Sequence, residues 1–173
     1  MVRRLDYSAR FPLHTAEQVY RALSSRSYWD ARMEEMRKHS PNEVVELRAD
    51  ANGIELEVRH LLPRDMLPEI AQTVMRKDLV ITRKESYGPL GPEVEGTFTA
   101  SIPGGPGTLD GTMRLFPTET GATLRTSPVA KVFIPILGPK LEQMMLINLV
   151  DLFRAEAEFT QQWLEEQHPT ASR

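Results

Sequence analysis

The sequence predicts an α+β protein in which a seven-stranded antiparallel sheet wraps around one long C-terminal helix, with two short helices after the first strand. Three observations carry this reading. Strand-like alternation opens the chain at Arg4 to Phe11, with Leu5, Tyr7, Ala9 and Phe11 on one side and Arg4, Asp6, Ser8 and Arg10 on the other. Six further strand-like runs follow, most joined by short turns, as in an antiparallel meander. A helical stretch, Gly138 to Glu166, comes last. At ~100° per residue, Leu141, Met144, Met145, Leu152, Ala155, Phe159 and Trp163 share one of its faces, and Asn148 lies within about 20° of that face's centre. An amphipathic helix after a meander needs a curved sheet to lie in, and a buried polar group needs a partner.

The elements follow in order. Thr15 reads as an N-cap and Gln18, three residues on, completes a capping box for a helix through Leu23. Ser25 or Ser27 opens a second helix to about Lys38, with Trp29, Met33 and Met36 on one side, and Pro41 closes it. Val44 to Asp50 and Gly53 to Leu62 are separated at Asn52-Gly53, a strong hairpin signal. Leu79 to Tyr87 ends at Gly88-Pro89-Leu90-Gly91-Pro92, and Glu93 to Ile102 carries Val94, Phe98, Ala100 and Ile102 in phase. Gly104-Gly105-Pro106-Gly107 turns the chain into Thr108 to Phe116, and Glu119-Thr120-Gly121 turns it into Ala122 to Ile134. Pro128 inside that last run predicts a bulge or an edge position. Residues 1–168 read as a single domain and 169–173 as a disordered tail.

Composition narrows the function. With 173 residues the chain is long enough for one real core, and 40% apolar with 26% charged residues is ordinary for a globular domain. A net charge of −3 leaves no surplus of Lys and Arg to neutralise phosphates, which argues against a nucleic-acid partner. Without cysteine there is no disulfide, thiolate nucleophile or Cys-based metal site. The basic start, Met1 to Asp6, has no apolar run behind it, and Met144 to Val150 is too short to span a bilayer. The expected protein is soluble and cytoplasmic.

One segment breaks the meander: Pro63-Arg64-Asp65-Met66-Leu67-Pro68, then a helix-like Glu69 to Arg76 with Ile70, Val74 and Met75. A connection of this length is often functional. Because a meander alternates ends at each turn, the 63–77 insertion, the Gly104 to Gly107 turn and the Ile134 to Pro139 connection meet at one end. The N-terminal half of the long helix starts there and is greasy all round: Leu146, Ile147, Val150 and Phe153 lie away from the core stripe. Either the insertion covers them as a lid over the mouth of a cavity, or they form a homodimer contact.

The order of elements resembles the helix-grip fold of the START-like (SRPBCC) superfamily, which includes the Bet v 1 class, polyketide cyclases and lipid-transfer domains. Arg4-Leu5-Asp6-Tyr7, Leu61-Leu62-Pro63 to Pro68 and Val80-Ile81-Thr82-Arg83-Lys84-Glu85 resemble, more narrowly, a bacterial family of uncharacterised START-like proteins. The resemblance implies a hydrophobic cavity between sheet and helix. Members bind lipids, sterols, polyketides or hormones, or catalyse cyclisation, so the fold does not choose among these.

Several polar residues fall where such a cavity would lie. His60 continues the phase of Ile54, Leu56 and Val58, so it points inward at the mouth end, as a general base, a carbonyl-orienting group or a hydrogen-bonded histidine at the core edge. Arg83 and Glu85 share a face with Leu79, Ile81 and Tyr87; they meet a polar ligand group there or, if a bulge reverses the phase, form a solvated pair. Asn148 suits a ligand hydroxyl or carbonyl, His60 across the cavity, or a structural bond to a strand. Tyr7 is an inward polar contact or a core aromatic. Met66, Met75, Met144 and Met145 gather near the inferred mouth, where flexible thioethers suit irregular apolar ligands or fill core space. Phe98 and Leu152 complete the expected ligand-binding set.

The histidines at 14, 39, 60 and 168 show no metal spacing, no Gly-x-Ser-x-Gly elbow exists, and the Gly104 to Gly107 turn lacks the Lys-Ser/Thr of a phosphate loop, so no metal or cofactor is expected. The leading expectation is a module that binds or transports a small hydrophobic ligand. The alternatives are a cyclase or dehydratase-type enzyme using His60 with Asn148, Arg83 or Glu85, and a cavity-poor interaction domain.

Overall fold

The computed structural model describes residues 2–170. Among these residues the strands are β1 (Val2–Arg4), β2 (Tyr7–Pro12), β3 (Asn42–Asp50), β4 (Gly53–Leu62), β5 (Leu79–Tyr87), β6 (Val94–Ser101), β7 (Gly107–Pro117) and β8 (Gly121–Val132). The helices are α1 (Ala16–Leu23), α2 (Arg26–Met36), α3 (Glu69–Gln72) and α4 (Gly138–Gln167), with a single 3-10 turn at Arg64–Met66. The sheet is antiparallel throughout, in the order β1, β8, β7, β6, β5, β4, β3, with β2 also paired to β8. β1 and β2 lie in line against β8, so eight segments fill seven places, as the fold class predicts.

The interruption between β1 and β2 has a definite cause. Arg4 pairs with Val129 and Tyr7 with Thr126, so the register does not slip across the gap. Leu5 donates its N–H to the Pro128 carbonyl at 3.1 Å, but Pro128 has no N–H to return. One half of a hydrogen-bonded pair is missing and the ladder breaks there. Pro128 thus sits at neither a bulge nor an edge: β8 is an interior strand, in continuous register with β7. The predicted single strand from Arg4 to Phe11 becomes two for the same reason.

The local signals at helix α1 act as the sequence indicates. The Thr15 side chain accepts from Gln18 N–H and the Gln18 side chain accepts from Thr15 N–H, a complete capping box. Ser25 caps α2, which ends at Met36, two residues earlier than the periodicity suggests. In the first hairpin the two-residue loop is Ala51–Asn52, since Asp50 pairs with Gly53. Gly53 has φ +135°, and a Cβ there would lie 2.1 Å from the Tyr87 carbonyl oxygen, so only glycine fits. At the chain's far end Thr170 hydrogen-bonds to Glu165 through both its N–H and its hydroxyl. Of the tail expected at 169–173, residues 171–173 lie outside the described residues.

Helix α4 packs along β8, β2 and β1, while α1 covers β7 and β8 and α2 covers β3. The face of α4 that meets the sheet is not the one its apolar periodicity indicates. Its buried residues are Gly138, Leu141, Glu142, Leu146, Phe153, Glu156, Thr160 and Leu164. Leu146 and Phe153, read from the sequence as facing away from the core, are buried, and the Phe153 ring lies 5.7 Å from that of Tyr7. Ile147 remains 58% exposed and Val150 is half-buried. Phe159 and Trp163 are only half-buried and pack against Tyr28 of α2. The true inner face is turned from the apolar stripe because it contains two glutamates and a threonine whose partners lie elsewhere in the chain.

Candidate functional site

Two regions inside the grip gather most of the site residues expected from the sequence. The first is a hollow of about 300 Å³ at the end where the 63–77 insertion, the Gly104 to Gly107 turn and the start of α4 meet. The strands contribute Leu62, Leu79, Ile81, Ala100, Ile102, Leu109 and Val132; the insertion contributes Leu67, Pro68, Ala71, Val74 and Met75; and α4 contributes Leu141, Met144, Met145, Asn148, Leu149 and Leu152. Leu141, Met144, Met145, Asn148 and Leu152 belong to the sequence-read stripe, Leu149 does not, and the stripe's Ala155, Phe159 and Trp163 lie outside the hollow. The N-terminal part of that stripe faces the hollow, and the glutamate-bearing face meets the sheet.

The insertion is held in place by Arg64. Its Nε donates to the Met75 carbonyl at 2.7 Å and its Nη2 to the Gln72 carbonyl at 2.7 Å, which satisfies free carbonyls at the end of α3. The Arg64 N–H donates to Asp78 Oδ1 at 2.8 Å, tying the start of the insertion to its end. The helical part is shorter than the predicted Glu69 to Arg76. Met66 is 55% exposed on the outer side and does not line the hollow, unlike the other expected methionines.

The second region lies one step deeper, where charged groups are buried. Arg83 and Glu85 point inward from β5, and no bulge reverses their phase: Arg83 pairs with Val58 and Ala100, Glu85 with Leu56 and Phe98. The solvated-pair alternative therefore does not hold. Arg83 Nη1 donates to both carboxylate oxygens of Glu156 on α4, each at 3.1 Å, and its Nη2 donates to Glu85 Oε1 at 3.4 Å. Arg32 of α2 makes a second ion pair with Glu156. Arg32 Nη1 also donates to the Tyr28 hydroxyl at 3.1 Å; that hydroxyl lies 2.6 Å from Thr160 Oγ1, which donates to the Glu156 carbonyl at 2.8 Å. The network joins α2, β5 and α4, and it contains two positive and two negative groups.

Around this network sit the other inward residues. Tyr87 donates to Glu85 Oε1 at 3.1 Å, and its phenol is raised well above the usual range, first by complete burial and then by the Glu85 charge. Tyr7, Arg83, Glu85 and Glu156 border a small void of about 50 Å³. Phe98 belongs to the core; its ring occupies the room left opposite Gly111, where a Cβ would lie 2.7 Å from it. His60 is half-buried and pairs in register with Ile81.

The His60 imidazole is pushed down to about 4 by burial, with Arg83 and then Arg32 adding to the effect and Glu85 opposing it. It is therefore neutral at physiological pH. A depressed value means that the unfolded chain, with an ordinary value of 6.5, binds this proton at higher pH than the folded chain. Stability from this group is full above pH 6.5 and is lost as pH falls from 6.5 toward 4. Melting temperatures of the wild type and His60→Gln across that window should show a shallower decline in the variant. Parallel curves would remove His60 as a contributor.

The expected site residues therefore divide. Met144, Met145, Asn148 and Leu152 line the hollow, and Tyr7, Arg83 and Glu85 border the deeper void. Asn148 is exposed at the rim, and among the described residues it makes no hydrogen bond to His60. Three charged residues escaped sequence reasoning, Arg32, Glu142 and Glu156, all buried, as did Tyr28 and Thr160 beside them. Glu142 accepts the Val132 N–H at 2.9 Å, pinning the start of α4 to the end of β8. The spacing Glu142, Leu146, Phe153, Glu156, Thr160, Leu164 is helical, and it becomes visible once polar residues are allowed on the inner face.

This architecture, a curved antiparallel sheet closed over a long C-terminal helix, defines the Bet v 1-like helix-grip class. Solved structures with the same fold include TTHA0849 from Thermus thermophilus (TM-score 0.60, 15% identity, 97% of this chain and 99% of that one). Ara h 8.0201 also shares it (TM-score 0.57, 8% identity, 96% and 99%), as does SA2116 from Staphylococcus aureus, a protein of unknown function (TM-score 0.58, 15% identity, 98% and 98%). Within that class, the chain belongs to the DUF2505 family, described as a protein of unknown function, whose model matches residues 6–164. The uncharacterized protein Rv0481c of Mycobacterium tuberculosis is 33% identical to it over 178 residues, covering 95% of this chain and 98% of that protein. Mb0491c of Mycobacterium bovis, also uncharacterized, matches to the same extent. No helix among the described residues is long and apolar enough to cross a membrane.

Proposed function

We propose that this protein is a START-like (SRPBCC) module that binds or carries a small hydrophobic ligand in the hollow between sheet and α4. The observation that carries this reading is the lining: a space of about 300 Å³ lined mostly by aliphatic and methionine side chains from three separate parts of the chain. An apolar wall left to water costs about 25 cal/mol for each Å², which a ligand with an apolar body recovers. The insertion serves as the lid, and Met75, Met144 and Met145 supply adaptable contacts. A cytoplasmic setting belongs to the proposal, and a chain without cysteine suits it.

The enzyme alternative asks for two or more reactive groups around one substrate-sized space. Here Arg83, Glu85 and Tyr87 hold one another around a water-sized void, while His60 and Asn148 border neither the same void nor each other. The binding reading is tested by native mass spectrometry of the recombinant protein together with titration by the neutral dye N-phenyl-1-naphthylamine. An apolar species carried through purification, or saturable dye fluorescence, is expected. A clean protein that leaves the dye dark would overturn it.

A further inference from the structure

We propose that the hollow takes a molecule with an apolar body and one neutral hydroxyl, inserted hydroxyl first toward Arg83 and Glu85, and that it turns carboxylate heads away. The inference rests on the ligand-binding reading above and names the chemistry of the ligand. The register supplies the geometry. Ile81 and Ala100 line the hollow; the next inward residue of β5 is Arg83, directly beside Ala100, and His60 lies directly beside Ile81. On α4, Asn148 and Leu152 line the hollow and Glu156 follows one turn later. A molecule that fills the apolar space therefore ends with its leading atom next to the charged network.

That network offers no net positive charge. Arg32 and Arg83 are matched by Glu85 and Glu156, and Arg83 is engaged by both carboxylates. His60 adds no charge, since burial keeps its imidazole neutral. A carboxylate driven into this position would lose its hydration and meet two existing carboxylates, with no free cation in compensation. The unpaired atoms are of a different kind. Among the described residues three buried atoms of the network lack a partner, the donors Arg32 Nε and Arg83 Nε and the acceptor Glu85 Oε2, whose side chain is 3% exposed. A group seated between Arg83 and Glu85 meets one donor and one acceptor. A hydroxyl accepts and donates at once, so one group answers both, which a carboxylate does not. The void of about 50 Å³ bordered by these two residues has room for it.

An acid can still lie in the hollow tail first, with its carboxylate in water. Orientation is therefore the quantity to measure. The protein is titrated with 1-decanol and with decanoate, each labelled with carbon-13 at C1, at about pH 8, where the acid is ionised. A soluble paramagnetic agent then reports which C1 is shielded. The expected result is a shielded C1 for bound decanol and an exposed one for bound decanoate. Glu85→Gln leaves the network one positive charge in excess, so it should turn decanoate head-in and tighten it by about ten-fold. An exposed decanol C1, a shielded decanoate C1 in the wild type, or an unmoved decanoate in Glu85→Gln would overturn the inference while the binding reading stands. If neither probe binds, the binding reading falls and takes this one with it. Should Glu85→Gln fail to fold, the wild-type shielding alone decides.

Discussion

Replacing Glu156 by alanine is expected to lower the unfolding free energy by about 3–5 kcal/mol, read from urea denaturation followed by tryptophan fluorescence. The carboxylate is the common partner of two arginines from different elements, and all three side chains are nearly buried, at 7%, 12% and 9% exposure for Arg32, Arg83 and Glu156. Removing it leaves two guanidinium groups with only Glu85 to balance them, in a place where water does not compensate. An exposed pair provides the contrast. Asp151 and Arg154 lie three residues apart on the outside of α4, and Asp151→Ala should cost about 0–1 kcal/mol. A loss below about 1 kcal/mol for Glu156→Ala would mean that the network is hydrated and not buried as described. Replacing Arg32, Arg83, Glu85 and Glu156 together by apolar residues of similar volume should restore most of the lost stability, because desolvation of the charges largely cancels their attraction. The network then stands as a polar device that stability alone does not require.

Much of the framework was legible in the chain because its signals are local. The Thr15–Gln18 capping box, the Ser25 cap, the turn at Asn52 and Gly53 and the alternation along β4 to β8 each depend on residues a few positions apart. The break at Leu5 was not legible in the same way, because its cause, Pro128, lies on another strand. The face of α4 shows the same limit more sharply. Apolar periodicity selects Leu141, Met144, Met145 and Leu152, and these do share a side, but it is the side that lines the hollow. The side against the sheet carries Glu142 and Glu156, and their burial is possible only because the Val132 N–H and the two arginines meet them from distant parts of the sequence. A pattern that discards charged residues from the core turns the helix the wrong way. The inward phase of Arg83 and Glu85 followed from strand alternation, whereas their shared partner on α4 did not.

Ala100→Phe is expected to abolish saturable binding of N-phenyl-1-naphthylamine, a loss of at least about 100-fold, while leaving the fold at least as stable as the wild type. Ala100 faces inward from β6, lines the hollow, and stands between Arg83 on one neighbouring strand and Leu109 on the other. A phenyl ring placed there extends into open apolar space. It competes directly with any ligand and buries its own surface, for a gain of up to about 2 kcal/mol. The two readouts separate the hollow from an ordinary core position. In a close-packed core the same substitution forces neighbours off their rotamers and costs about 1–3 kcal/mol. Gly111 supplies that comparison within the same sheet. A Cβ there would lie 2.4 Å from the Ser127 carbonyl oxygen and 2.7 Å from the Phe98 ring, so Gly111→Ala should destabilise where Ala100→Phe does not. Equal destabilisation by both would show that β6 faces filled space. Full dye binding by a stable Ala100→Phe protein would move the ligand elsewhere. Stability retained with binding lost is the outcome that assigns the hollow to the ligand.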